Sequence, residues 1–114
     1  MLSDIAGLFN VPQTDQERAD WSFAHAVHHA DIIRVIYNVT GIALASYILD
    51  PFDINNTEVW ADQHQQMHTQ LDAVLGIEPF NLDSWDWKNK DTLAGNIWNN
   101  AQEHYQAAAI LEIG

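Results

Sequence analysis

The sequence predicts an all-α fold: a small bundle of three principal helices plus one short helix, with an N-terminal arm. Apolar residues recur at helical spacing in three segments, capping patterns precede these segments, and glycines follow two of them. The 114 residues suffice for one domain, and the 47% share of hydrophobic residues can supply a packed core. We therefore predict an arm over residues 1–13 and a single helical domain over residues 14–114.

The first principal helix is predicted to begin after Thr14, where a Thr-x-x-Glu capping box starts, and to end at Gly41. Its apolar stripe at helical spacing contains Trp21, Ala24, Ile32, Val35, Ile36 and Val39. Residues 42–49 are apolar on nearly all sides, which predicts a short buried helix. Asp50 and Pro51 then turn the chain.

The second and third principal helices are predicted from the same kinds of signal. An Asn-x-x-Glu pattern at Asn55 begins the second helix, and Gly76 ends it. Residues 78–90 show no period and are predicted to form a loop, after which Asp91 or Thr92 caps the third helix. The two stripes contain Trp60, Met67, Leu71, Val74 and Leu75, and then Leu93, Ile97, Ala101, Ala107, Ala108 and Leu111.

The charge balance and the residue types exclude several functions. Sixteen acidic residues face four basic ones, a formal net charge of −12, so we expect no binding to nucleic acid or to an anionic membrane. The absence of cysteine excludes thiolate metal sites and thiol catalysis. We find no nucleophile motif, acid–base carboxylate pair or glycine-rich phosphate loop, and therefore expect no enzyme.

Histidines recur at helical spacing in two stretches of the chain. WSFAHAVHH, beginning at Trp21, and WADQHQQMH, beginning at Trp60, each place a tryptophan and two histidines at four-residue intervals. On a helical wheel the histidines within the apolar stripes are His25, His28, His64 and His104, with His29 and His68 at the stripe edges. We predict that His28, His64 and His104 are largely buried. The favoured interpretation is a metal-free layer of neutral, hydrogen-bonded imidazoles, with no cofactor.

A metal site is the alternative interpretation. Two histidines four residues apart can share a metal, and a histidine from another helix can complete a zinc-like set. The candidate ligands are His28, His64, His68 and His104. Asp72 is a candidate outer ligand or orienting carboxylate, whereas Glu103 is expected to point away from the histidines. The chain lacks both the His-Glu-x-x-His motif of zinc proteases and the Glu-x-x-His pairs of di-iron bundles.

Two apolar segments are candidates for binding a protein partner. The candidate partner-binding residues are Leu2, Ile5, Leu8 and Phe9 in the arm, and Trp85 and Trp87 in the loop. For both segments the alternative is packing on the core of the chain itself.

The runs LDPFD, WADQHQQMH, LGI and NAQEHYQAAAILEIG resemble small proteins encoded by tailed bacteriophages and prophages. The resemblance covers about the last two-thirds of the chain, including His64, His68, Glu103 and His104. It implies a virion structural component of the tail, neck or fibre attachment, made in the host cytoplasm and bound to other virion proteins in a symmetric assembly. A histidine-rich metal-binding protein and an acidic host-directed inhibitor are the alternatives.

Overall fold

The computed structural model describes residues 5–44, 57–78 and 85–111 of the chain. Within these ranges it contains a 3-10 turn (Ala6–Phe9), three α-helices and no strand. The helices are α1 (Asp15–Thr40), α2 (Thr57–Leu75) and α3 (Lys90–Ile110). The all-α prediction with three principal helices is therefore confirmed. Residues 42–44 are not helical, and the rest of the predicted short helix lies outside the described residues.

The predicted signals at both ends of α1 and at the C-terminal end of α2 are present in the structure, whereas the predicted start of α2 at Asn55 lies outside the described residues. The Thr14 hydroxyl accepts a hydrogen bond of 3.1 Å from the backbone N–H of Glu17, as a helix N-cap does. Gly41 and Gly76 follow the two helices with φ of 76° and 71°. This left-handed conformation is one that glycine adopts without steric cost, so both helices end where the sequence predicts.

The start of α3 differs from the prediction by two residues. Asn89 is the N-cap, and its side-chain oxygen accepts hydrogen bonds from the backbone N–H groups of Asp91 and Thr92. The prediction that Asp91 or Thr92 caps the helix is wrong, because asparagine is at least as good a cap and stands first in the chain.

The three helices run in the same direction. Three ring pairs join α1 to α2 in ascending order on both helices: Trp21 with Trp60, His25 with His64, and His29 with His68. Hydrogen-bond contacts to α3 ascend in the same way, from His25 with Asn100 to His29 with His104. Parallel neighbours require connections that return along the bundle.

The core is layered along the bundle axis. A tryptophan cluster lies at the end of the bundle where the helices begin; its buried members are Leu8, Trp21, Trp60, Ala61, Trp85, Trp87, Leu93, Ile97 and Ala101. An aliphatic cluster lies towards the other end and contains Ile32, Ile36, Leu71, Ile77 and Ala107. All six histidines are buried and fall between the two clusters in the order of each helix.

The predicted stripe positions are buried or partly buried, with two exposed exceptions on α1. Ala24 is exposed because it lies at the rim of the stripe, and Val39 is 68% exposed because it follows the last core contacts of the helix. No helix in the described residues is long and apolar enough to cross a membrane.

Candidate metal centre

The histidines belong to rows of side chains that repeat every four residues. We define the α1 row as Trp21, His25 and His29, and the α2 row as Trp60, His64 and His68. On α3, Asn100 and His104 have the same spacing. Four residues advance a helix by about 6 Å and return the side chain to nearly the same face. Because the helices are parallel, equivalent positions of the rows meet in layers.

Four imidazoles converge at one point between the helices. Their Nε2 atoms are separated by 3.0 Å (His25–His29), 3.1 Å (His29–His68, His104–His25 and His104–His29) and 3.4 Å (His68–His25). We call His25, His29, His68 and His104 the histidine tetrad; one ring nitrogen of each lies within 4.8 Å of all the others. A tetrahedral zinc ion with Zn–N bonds of about 2.0–2.1 Å has nitrogen–nitrogen separations of about 3.3–3.4 Å. Five of the six separations within the tetrad, at 3.0–3.4 Å, are close to this value.

Hydrogen bonds alone do not account for these contacts. A neutral imidazole has one N–H donor and one lone pair on its two nitrogens. Four Nε2 atoms therefore form at most two ordinary donor–acceptor pairs, whereas five Nε2–Nε2 contacts are 3.4 Å or shorter. At least one of the remaining contacts would oppose two lone pairs or two protons. A cation at the centre would instead accept all four lone pairs.

Burial keeps the imidazoles neutral. Desolvation lowers the pKa of each tetrad histidine well below 6.5, and neighbouring imidazoles lower the pKa of each further. Desolvation also lowers the pKa of His28 and of His64 to about 4. At neutral pH the tetrad therefore carries the lone pairs that metal coordination requires.

Two tetrad members have a buried partner at their other ring nitrogen. His68 Nδ1 contacts the Glu103 carboxylate, and both side chains are buried. His104 Nδ1 lies 2.5 Å from Nδ1 of His28. The expectation that Glu103 points away from the histidines is wrong: one residue before His104 on α3, Glu103 faces α2, where His68 lies.

The structure brings together two of the four predicted ligands. His68 and His104 belong to the tetrad, whereas Nε2 of His64 lies 2.7 Å from the Asn100 side-chain oxygen and His28 contacts the outer nitrogen of His104. The predicted burial of His28, His64 and His104 is confirmed, with exposures of 1%, 0% and 1%. The sequence-based set omitted His25 and His29, although their four-residue spacing is the signal that marked His64 and His68.

Asp72, the predicted outer carboxylate, is buried near the tetrad without belonging to it. It lines the same small pocket as His68, Glu103 and His104. Neither carboxylate oxygen has a hydrogen-bond partner among the described residues. Desolvation raises the pKa of Asp72 to about 7.

The candidate partner-binding residues pack on the chain itself, the alternative that the sequence left open. Leu8, Trp85 and Trp87 are buried in the tryptophan cluster, and Ile5 and Phe9 are partly buried against it. The Trp21 indole N–H donates a hydrogen bond of 3.1 Å to the Leu8 carbonyl oxygen, which ties the 3-10 turn to α1. Leu2 lies outside the described residues.

A metal held by all four imidazoles would have closed, all-nitrogen coordination, whereas catalytic zinc sites keep one position open. No protein-family model, curated protein or solved structure matches the chain. The resemblance to bacteriophage proteins therefore stays a prediction.

Proposed function

We propose that the chain is a metal-binding helical bundle that holds one divalent transition-metal ion at the histidine tetrad. The observation that carries the proposal is the convergence of four buried Nε2 atoms, five of whose six separations are 3.0–3.4 Å. Imidazole ligands suit zinc, copper, nickel and iron, whereas calcium and magnesium take oxygen ligands. The tetrahedral arrangement favours zinc among them.

The buried carboxyl groups support the same proposal. Glu103 is 3% exposed, and Asp72 is 2% exposed. Burying a carboxylate is costly unless a positive charge or hydrogen bonds compensate it. Among the described residues no lysine or arginine forms an ion pair with either carboxylate; the basic residues are Arg18, Arg34, Lys88 and Lys90. A divalent ion at the tetrad would place positive charge beside Glu103.

The role proposed for the metal is structural. Ligands from α1, α2 and α3 would join all three helices at the level between the tryptophan cluster and the aliphatic cluster. Because the unfolded chain has no assembled site, the free energy of metal binding adds to the stability of the fold. The fold would therefore depend on the metal more strongly than a bundle with an apolar centre does.

The virion role implied by the resemblance stays a prediction, as do the absence of enzymatic activity and the alternative of an acidic host-directed inhibitor. A structural metal is compatible with a virion subunit, since it stabilises the subunit without occupying its surface. Mass-spectrometric analysis of purified particles would test that role independently of metal binding.

The proposal is tested by purifying the chain without an affinity tag of histidines and measuring bound metals by mass spectrometry. We expect one zinc ion per chain. After zinc is exchanged for cobalt, we expect one Co²⁺ ion per chain and the intense visible absorption of tetrahedral Co²⁺. Removal of the metal with a chelator should lower the melting temperature, and addition of zinc should restore it. A folded, helical chain that binds neither ion at micromolar concentration would overturn the proposal.

A further inference from the structure

We infer that Glu103 and His28 are positioning residues for the metal: they hold the protons of His68 and His104 on Nδ1, so that the Nε2 lone pairs face the tetrad centre. This inference rests on the proposed function. Neither residue belongs to the tetrad, and each contacts a different ligand on a different helix.

The Glu103 carboxylate fixes the proton of His68. An ionised carboxylate only accepts hydrogen bonds, so the ring nitrogen that contacts it must carry the proton. That nitrogen is Nδ1 of His68. The neutral ring then has its lone pair on Nε2, the atom that belongs to the tetrad. A carboxylate in this position also makes the imidazole a stronger ligand.

His28 supports the same tautomer of His104 by accepting its proton, although an imidazole, unlike a carboxylate, does not by itself set the direction of the hydrogen bond. The two Nδ1 atoms are 2.5 Å apart, so one carries a proton and the other accepts it. Coordination through Nε2 of His104 leaves its proton on Nδ1, which donates to His28. His28 then carries its own proton on Nε2. The contact joins α1 to α3, since His28 is on α1 and His104 is on α3.

The other two ligands have a different support. His25 and His29 come from the same helix, one turn apart, and Trp21 stacks on His25 with ring centroids 4.8 Å apart. Within the described residues their Nδ1 atoms have neither a hydrogen-bond partner nor a carboxylate contact such as the one that joins His68 to Glu103. The helices that supply a single ligand, α2 and α3, are therefore those whose ligand has a polar partner. Such a difference between the helices is expected if a polar partner orients the histidine of a helix that supplies only one ligand.

The test measures zinc affinity by competition with a chelator in two matched series. The first compares the wild type with Glu103→Gln and Glu103→Leu, with the exposed Glu78→Gln as the control for loss of one negative charge. The second compares His28→Asn, which retains an acceptor oxygen, with His28→Leu, which does not. Circular dichroism checks the fold, and the visible spectrum of the cobalt-loaded proteins reports the number and type of ligands.

We expect about 10–100-fold weaker zinc binding for each leucine variant and a smaller loss for Glu103→Gln and His28→Asn. One ion per chain and a tetrahedral cobalt spectrum should remain. Wild-type affinity in the leucine variants would overturn the positioning roles and leave the proposed function intact, whereas a wild type that binds no metal would overturn both. If a leucine variant fails to fold, the Gln and Asn variants decide: affinities equal to that of the Glu78→Gln control would overturn the inference.

Discussion

In both the α1 row and the α2 row, the tryptophan stacks on the first histidine with nearly the same geometry. The ring centroids are 4.8 Å apart at 12° for Trp21 and His25, and 4.7 Å apart at 17° for Trp60 and His64. Nε2 of both first histidines contacts the Asn100 side-chain oxygen, at 3.0 Å from His25 and 2.7 Å from His64. The two histidines differ because Nε2 of His25 also contacts the other members of the tetrad, whereas Nε2 of His64 does not belong to it. The four-residue spacing places both histidines on the inward face of their helices. The residues on the facing helices then determine which atoms each histidine contacts.

The tryptophans of the two rows differ as well. The indole N–H of Trp21 donates to the carbonyl oxygen of Leu8. The indole N–H of Trp60 is buried and has no hydrogen-bond partner in the part of the chain that the structure describes. The same residue type at the same row position therefore contributes a polar contact in one row only.

The largest effect that we expect is a loss of stability in acid, where protonation of the buried histidines of both rows and of His28 destabilises the metal-free protein. The unfolded chain takes up protons below about pH 6.5, whereas His28 and His64 in the fold do so only near pH 4. Stability should therefore fall as the pH drops from 6.5 towards 4, by roughly 3 kcal/mol for each of these two groups. The other four histidines act in the same direction, and the raised pKa of Asp72 opposes them.

Urea unfolding of chelator-treated protein at several pH values, followed by circular dichroism, measures this dependence. Zinc-loaded protein is the control, because coordination should protect the tetrad until the metal leaves and so shift acid unfolding to lower pH. A free energy of unfolding that stays constant between pH 7 and pH 4 would contradict the prediction.

Matched substitutions in the two rows should have unequal effects on metal binding. His29→Gln removes a tetrad ligand, and we expect it to weaken zinc binding by about 100-fold or more, since loss of an outer partner alone costs about 10–100-fold. His64→Gln keeps a donor for the Asn100 oxygen and removes no ligand, so its zinc affinity should stay within about threefold of wild type. Isothermal titration with zinc measures both; equal losses would show that the rows are equivalent.

The smallest expected effect concerns the two tryptophans. Trp21→Phe leaves the buried Leu8 carbonyl without its donor, whereas Trp60→Phe removes an N–H that has no partner. The loss of ring volume is the same in both. We therefore expect Trp21→Phe to cost about 1–3 kcal/mol more than Trp60→Phe in urea unfolding. Equal costs would mean that the Leu8 hydrogen bond adds nothing to stability.

The predictable parts of the fold are those that local interactions determine. The Thr14 cap and the glycines at 41 and 76 act within one or two turns of the chain, so the sequence places these helix ends correctly. The common direction of the helices is not local. Spacing and caps define a helix and its inward face, but they do not say which way the neighbouring helix runs.

The same reasoning explains what the sequence revealed of the site. The wheel placed the histidines at or near the inward faces, and all six are buried. The helical wheel could not show that His25 and His29, rather than His28 and His64, converge with His68 and His104. That convergence depends on where the side chains of α2 and α3 lie relative to α1. The contact of Glu103 with His68 likewise depends on the orientation of α3 relative to α2. The spacing of residues within one helix does not determine that orientation.

The common direction of the three helices has an electrostatic consequence for the bundle as a whole. Each helix carries the equivalent of about half a positive charge at its N-terminus and half a negative charge at its C-terminus, and parallel helices add these charges where antiparallel ones cancel them. The first turns contain acidic residues, Asp15, Glu17, Glu58 and Asp91, which offset the positive end. The last turns of the three helices contain no basic residue. The uncompensated end is therefore the one where the aliphatic cluster lies, and a positive charge brought to the bundle is most favourably placed there.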